Sequence, residues 1–239
     1  PAEFAALPDS VARMERGVEA LGDRLLDAMQ AHGRADLIED FAAAIPVDVI
    51  GNLLDIPHAD RGPLRGWSLA ILSALEPAPD AALLARANAA TNDFLDYLRG
   101  LVADRRARPG DPEADVLTRL IQGDGGEQFS EPELLHNCIF LLNAGHETTT
   151  NLIGNGLQAL MQHPAELARL RADPSLLTTA VEELLRYESP LQFNNRLTTA
   201  PMRIGGVELP AGTFLTLAIG AANRDEAVFE RPDEFDITR

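Results

Sequence analysis

Three stretches of this chain have the residue types and spacing to do chemistry: Ala144-Gly145-His146-Glu147-Thr148-Thr149, then Glu183-x-x-Arg186, then Arg196. The first lies inside an apolar helical stretch, where a glycine costs about 1 kcal/mol relative to alanine and threonine is also a poor helix former. Two readings of it stay open. Each threonine hydroxyl bonds back to a carbonyl one turn earlier, and the segment is tolerated variation. Or the helix widens locally where something flat or diatomic approaches its backbone. Glu183 and Arg186 are spaced as an ion pair on one helix face. Leu184, Leu185 and Tyr187 around them predict partial burial, where such a pair fixes geometry more than it adds stability. A third charge nearby would help to satisfy it.

Other chemistries fail on spacing. His146-Glu147 begins like a zinc-protease helix, but the second histidine is needed four residues after the first, and position 150 is Thr. His136 and His163 are too far along to share a site without a clear third ligand. There is no cysteine pair and no Walker loop, and Gly154-Asn155-Gly156 follows no strand. The formal charge of -17 argues against nucleic acid and against an anionic membrane surface. Every fixed cation is arginine, with no lysine, a bias best explained by base composition. No apolar run approaches a membrane span. The single cysteine, Cys138, excludes an intramolecular disulfide and fits a reducing cytoplasm.

The elements that must position these residues are mostly helices. Val11, Met14, Val18, Leu21, Leu25 and Met29 recur at spacings of three and four, ending near Gly33. A second stretch, Ala35 to Leu54, includes Pro46, where a kink or break is expected. Further helices are predicted around Gly62–Leu75, Asp80–Arg108 and Pro112–Gln122, before a Gly123–Gly126 loop. Ser130 with Glu133 reads as a capping box opening a helix to about Gln162, roughly 30 residues and about 45 Å long. After Tyr187 the texture turns to short β-rich segments, with Gly205-Gly206 as a hairpin signal, and then to an irregular segment from Asn223 to Arg239. The expectation is a single domain over 1–239, mainly α with small β-sheets (α+β). A helical region fills 1–188, with the long central helix at about 130–162 and the Glu-x-x-Arg helix at about 178–188. Small sheets and a meander fill 189–239.

Taken in order, these motifs resemble the cytochrome P-450 superfamily, the haem-thiolate monooxygenases, in its soluble bacterial form. Ala144 to Thr149 matches the small-Gly-x-acid-Thr-Thr motif of the long central helix, and Glu183-x-x-Arg186 matches the Glu-x-x-Arg helix. Arg196, Gly205-Gly206-Val207, Pro210 to Thr213, Ala222 to Asp225 and Pro232-x-x-Phe235-Asp236-x-x-Arg239 follow in the family's order. The likeness is strong from Glu131 onward and weak before it.

The resemblance implies roles. Thr148 would sit over the iron of haem b, its hydroxyl bonding dioxygen and holding a water, with Glu147 linking that water to solvent. Leu141, Ala144, Gly145, Thr149 and Leu191 would lie along the cofactor, with Ala144 and Gly145 leaving room for it. Arg196 would pair with a propionate. Glu183 and Arg186 would be structural, with Arg239 as the third member. Leu72, Leu75, Phe140, Leu141, Ala144, Leu191, Gln192 and Phe193 would line the pocket of a small, mainly apolar organic substrate. Dioxygen is the co-substrate, and electrons come ultimately from NAD(P)H through a ferredoxin-type or flavodoxin-type partner. The protein would be a cytoplasmic monomer with no nucleic-acid or membrane partner. The family's Phe-x-x-Gly-x-x-x-Cys-x-Gly loop should follow Arg239, so the chain is expected to be an internal part lacking its thiolate ligand, the early strands and another propionate contact. Cys138 is expected to be a buried structural thiol. The competing reading is a haem-free helical remnant acting as an interaction module.

Overall fold

The structure, a computed structural model, describes residues 8–75, 78–112, 115–123 and 128–239, with side chains from Met14 onward. The expected glycine loop lies outside the described residues from Asp124 on, as does the side chain of Val11. The described chain is helix-dominated with two small sheets, an α+β architecture. It divides into two compact units, 1–150 and 151–239. The division falls inside the long central helix and not at the change of texture after Tyr187.

The first unit holds α1 (Pro8–His32), α2 (Ala44–Leu53), α3 (Leu64–Ser73), α4 (Ala81–Ala107), α5 (Val116–Gln122) and the first part of α6 (Glu131–Gln162). The break expected at Pro46 comes slightly earlier. A π-helical turn occupies Ile38–Ala42, and α2 restarts at Ala44. Pro46 thus falls in a first turn, where its missing N–H has no intrahelical partner to lose. Asp80 caps α4 by accepting from the Leu83 amide at 2.7 Å, and Asp115 caps α5 by accepting from the Thr118 amide at 3.1 Å. At the start of α6, Glu133 accepts from the Ser130 amide (2.9 Å) and from its hydroxyl (2.6 Å). These helices close on a core that includes Ile50, Leu64, Phe94, Leu98, Leu117, Cys138 and Leu142. Trp67 stacks on Phe94 at 5.1 Å between ring centroids.

The second unit contains the rest of α6, then α7 (Pro164–Ala172), α8 (Leu177–Tyr187), four short strands and α9 (Ile219–Ala222). β1 (Phe193–Leu197) pairs antiparallel with β4 (Phe214–Ala218), setting Arg196 opposite Leu215. β2 (Met202–Ile204) and β3 (Val207–Leu209) form a hairpin. Its turn residues, Gly205 and Gly206, have φ of 56° and 86°, left-handed backbone that only glycine adopts without strain. Ala159, Ala180, Phe235 and Ile237 make the core of this unit, so the irregular C-terminal stretch is anchored by its own apolar residues.

Candidate functional site

α6 has a packed side and an open side. Leu134, Leu135, Cys138, Leu142, His146 and Thr150, spaced at one, three or four residues, are buried. Phe140 is 66% exposed, Ala144 is exposed, and Thr148, four residues further, stands on the same row. Thr148 is half-buried, as are Leu141, Glu147 and Thr149 at the margins. The outward row therefore offers an aromatic ring, a methyl group and a hydroxyl at successive turns, with a carboxylate beside the hydroxyl.

The helix does not widen at this point. It is unbroken α-helix through Gly145–Thr150. Thr148 donates its hydroxyl to the Ala144 carbonyl at 2.8 Å, and Thr150 donates to His146 at 2.9 Å. Back-bonding satisfies the hydroxyls, which removes one reason for the ladder to open.

Gly145 meets a neighbouring helix. A β-carbon there would lie 2.9 Å from Ile50 Cδ1 of α2. One residue on from Ala144 is a turn of about 100° around the helix, so the bare side of Gly145 meets a neighbouring helix while Ala144 points outward. Close packing against α2 is thus one demand that this glycine meets.

His146, whose spacing fails for a zinc ligand, has a structural partner instead. It is almost fully buried, with Nδ1 3.1 Å from the Ser68 hydroxyl on α3 and Nε2 buried without a partner among the described residues. Burial, together with the charge of Arg65, holds its pKa below the ordinary imidazole value and keeps the ring neutral. Nothing in the local sequence signals Ser68, because the partner lies 78 residues earlier.

Cys138 is fully buried on the packed side, and burial pushes its thiol up to about 12. Among the described residues no cluster of three or more His, Cys, Asp or Glu side chains could hold a metal ion. Leu72 is half-buried near the end of α3, and Leu75 just beyond it is exposed.

In the second unit, Glu183 and Arg186 form a buried pair on α8. Arg186 donates through Nε and Nη2 to the two carboxylate oxygens of Glu183 at 2.6 and 2.8 Å. Its remaining N–H groups reach the carbonyls of Asn223 and Pro232, both at 2.8 Å, and of Glu234 at 3.2 Å. Glu183 also accepts from the Asp236 amide at 3.0 Å. Arg239 Nε lies 3.3 Å from Glu183, and its Nη2 donates to the carbonyls of Arg231 and Glu234 at 3.1 Å. The three side chains thus meet, and they hold the irregular 223–239 stretch against α8. Arg224, part of the ordered Ala222 to Asp225 pattern but given no partner by the sequence, sets its guanidinium 4.2 Å from the Tyr187 ring centroid and donates to the Tyr187 carbonyl at 2.6 Å.

Arg196 on β1 is exposed. Its guanidinium turns to Asn194 Oδ1 at 2.7 Å and the Asn195 carbonyl at 2.8 Å, and among the described residues it makes no ion pair. Leu191, Gln192 and Phe193 are all exposed, and the Gln192 amide donates to the Ser189 carbonyl at 2.7 Å.

A family model described as Cytochrome P450 matches residues 77–239, more than half of the chain and all of the second unit. The chain belongs to the cytochrome P450 family. Curated P450 relatives agree. Cytochrome P450 107B1 of Saccharopolyspora erythraea is 42% identical over 224 residues, which is 93% of this chain and 53% of that protein. Vitamin D(3) 25-hydroxylase of Pseudonocardia autotrophica is 40% identical, covering 95% of this chain and 54% of that protein. Among solved P450 structures, P450BioI in complex with an acyl carrier protein ligated to hexadec-9Z-enoic acid superposes with a TM-score of 0.89 at 36% identity. That match covers 96% of this chain and 58% of that one. The chain spans about half the length of the curated P450s it matches.

Proposed function

We propose that the protein to which these residues belong is a haem-dependent monooxygenase that inserts one atom of dioxygen into a small, mainly apolar organic substrate. The observation that carries the reading is the open row of α6. Ala144 stands outward with half-buried Thr148 and Glu147 one turn on, while Leu134, Leu135, Cys138, Leu142, His146 and Thr150 cover the opposite side. Haem b, when bound to a cysteine thiolate from outside these residues, would supply dioxygen binding and the electron push that favours O–O cleavage. Every other task falls to side chains named above.

In the first unit, Ala144 presents only a methyl group, which leaves the helix surface accessible to a flat cofactor, with Leu141 and Thr149 at the margins. Thr148 keeps its hydroxyl on the open row; a rotation of its side chain exchanges the bond to Ala144 for one to a ligand or water. Glu147, half-buried next to it, links such a water to solvent and so moves a proton inward. Phe140, Leu72 and Leu75 offer apolar surface for substrate. In the second unit, Arg196 is an exposed fork of donors suited to a carboxylate, and a haem propionate is the carboxylate proposed for it. Leu191, Gln192 and Phe193 add further substrate contacts. Glu183, Arg186 and Arg239 are structural.

One relative is named as a vitamin D(3) 25-hydroxylase and another was solved with a hexadec-9Z-enoic acid on its carrier protein, and both molecules are mainly apolar, which supports an apolar substrate. Electrons would come from NAD(P)H through a ferredoxin-type or flavodoxin-type partner, in the cytoplasm, with the protein a monomer. The test is an absorbance scan of the full-length protein, reduced and under carbon monoxide. A Soret band at the position typical of thiolate ligation is expected; haem-free protein, or a band of histidine type, would sink the proposal.

A further inference from the structure

Gly145, His146, Glu147 and Thr148 make up one turn of α6, and two of the four are committed to other helices. Gly145 packs on Ile50 of α2, and His146 bonds Ser68 of α3. Both His146 and Ser68 are almost completely buried, and among the described residues no other group bonds the His146 ring nitrogens. Ser68 lies one turn before Leu72 on α3, so a single side-chain bond joins the turn carrying Glu147 and Thr148 to the end of α3 that carries Leu72, with Leu75 just beyond. Trp67, next to Ser68, is fixed by stacking on Phe94, which leaves α3 little freedom to follow α6 by sliding.

We propose that His146 is a positioning residue: its bond to Ser68 ties the proton-delivering turn of α6 to the substrate-facing end of α3, so that the two keep one register. The importance of that register rests on the function proposed above, but the tie itself does not. A buried imidazole of this kind is rarely neutral to replacement, because removing one partner leaves the other unpaired, whereas removing both leaves nothing unpaired. Stability and tethering can therefore be separated.

The experiment compares Ser68→Ala, His146→Leu, His146→Asn and the double variant Ser68→Ala/His146→Leu in the full-length, cofactor-loaded protein. Thermal melting reports stability, and amide hydrogen exchange by mass spectrometry reports segments 64–73 and 144–149. Either apolar single variant should melt earlier and exchange about tenfold faster in both segments together, the factor expected for one lost buried hydrogen bond. Asparagine, whose amide falls near the position of Nδ1, should restore slow exchange. The double variant should regain most of the melting temperature while both segments still exchange fast. Unchanged exchange in the single variants, or exchange that merely follows melting temperature through the whole set, would overturn the tether. These outcomes are independent of the carbon-monoxide spectrum, so failure of the tether and failure of the monooxygenase reading are distinguishable.

Discussion

Arg186 and Glu183 face each other three residues apart on α8, joined by two hydrogen bonds of 2.6 and 2.8 Å, with only 7% and 2% of their surfaces exposed. Two buried charges are stable there because each is saturated. The guanidinium also serves three carbonyls, and the carboxylate also meets the Asp236 amide and Arg239. Replacing Arg186 by Leu strands the carboxylate, at a cost of about 3–5 kcal/mol. Lysine supplies one point charge where a planar fork is needed, so Arg186→Lys should recover only part of that. Denaturant unfolding of the full-length protein measures both, and a wild-type midpoint for Arg186→Leu would contradict the lock.

Thr148→Ala should leave folding and haem content intact, since only a back-bond within α6 is lost. If the hydroxyl delivers protons, the rate of product formation falls by on the order of 10², with oxygen diverted to peroxide. Peroxide per electron consumed is the measurement. Unchanged partition would remove Thr148 from that role.

Gly145 allows a size series. Alanine gains helix propensity of about 1 kcal/mol but pushes on Ile50 Cδ1, the end of a side chain that can turn away, so the net change should be small. Leucine cannot be absorbed and should cost about 1–3 kcal/mol by overpacking. Ile50→Ala introduced alongside Gly145→Leu should relieve much of that cost. Equal stability of all these variants would show that the two helices do not press together at this point.

Cys138 should resist a thiol reagent at pH 8 in the folded protein, because it is fully buried and its thiol is pushed up to about 12. Labelling should appear only on unfolding. Cys138→Ala should retain the carbon-monoxide spectrum of the full-length protein at a cost of about 1 kcal/mol. Loss of the spectrum would make this cysteine a ligand after all.

The lowered pKa of His146 gives stability a pH dependence of definite sign. Above the ordinary imidazole range both folded and unfolded chains hold the ring neutral, and nothing is lost. As pH falls through that range the unfolded chain gains a proton that the buried ring refuses, so stability drops. Folding free energy measured between pH 8 and 5.5 should decline, and His146→Asn should flatten the decline. An identical slope in the variant would assign it to other groups.

Local signals in the sequence carried far for elements whose cause is local. The Asp80 and Ser130 boundaries, the Gly205-Gly206 hairpin and the three-residue spacing of Glu183 and Arg186 all act within one turn of the chain. Arg239 was legible as a third charge only through the ordered family pattern, since its approach to Glu183 spans 56 residues. The π turn at Ile38–Ala42 was not legible, nor was the bond from Arg224 to Tyr187; each depends on how segments pack rather than on what adjoins them.

By itself the amino-acid sequence determined the family likeness, the helix-dominated class and the pairing of an acid with a threonine on α6, because composition, spacing and motif order are properties of the chain alone. Tertiary packing decided which way each residue of that turn faces. Ala144 looks outward, Gly145 yields to Ile50 and His146 is bound to Ser68, since a helix rotates by about 100° per residue and only its neighbours determine which side is covered.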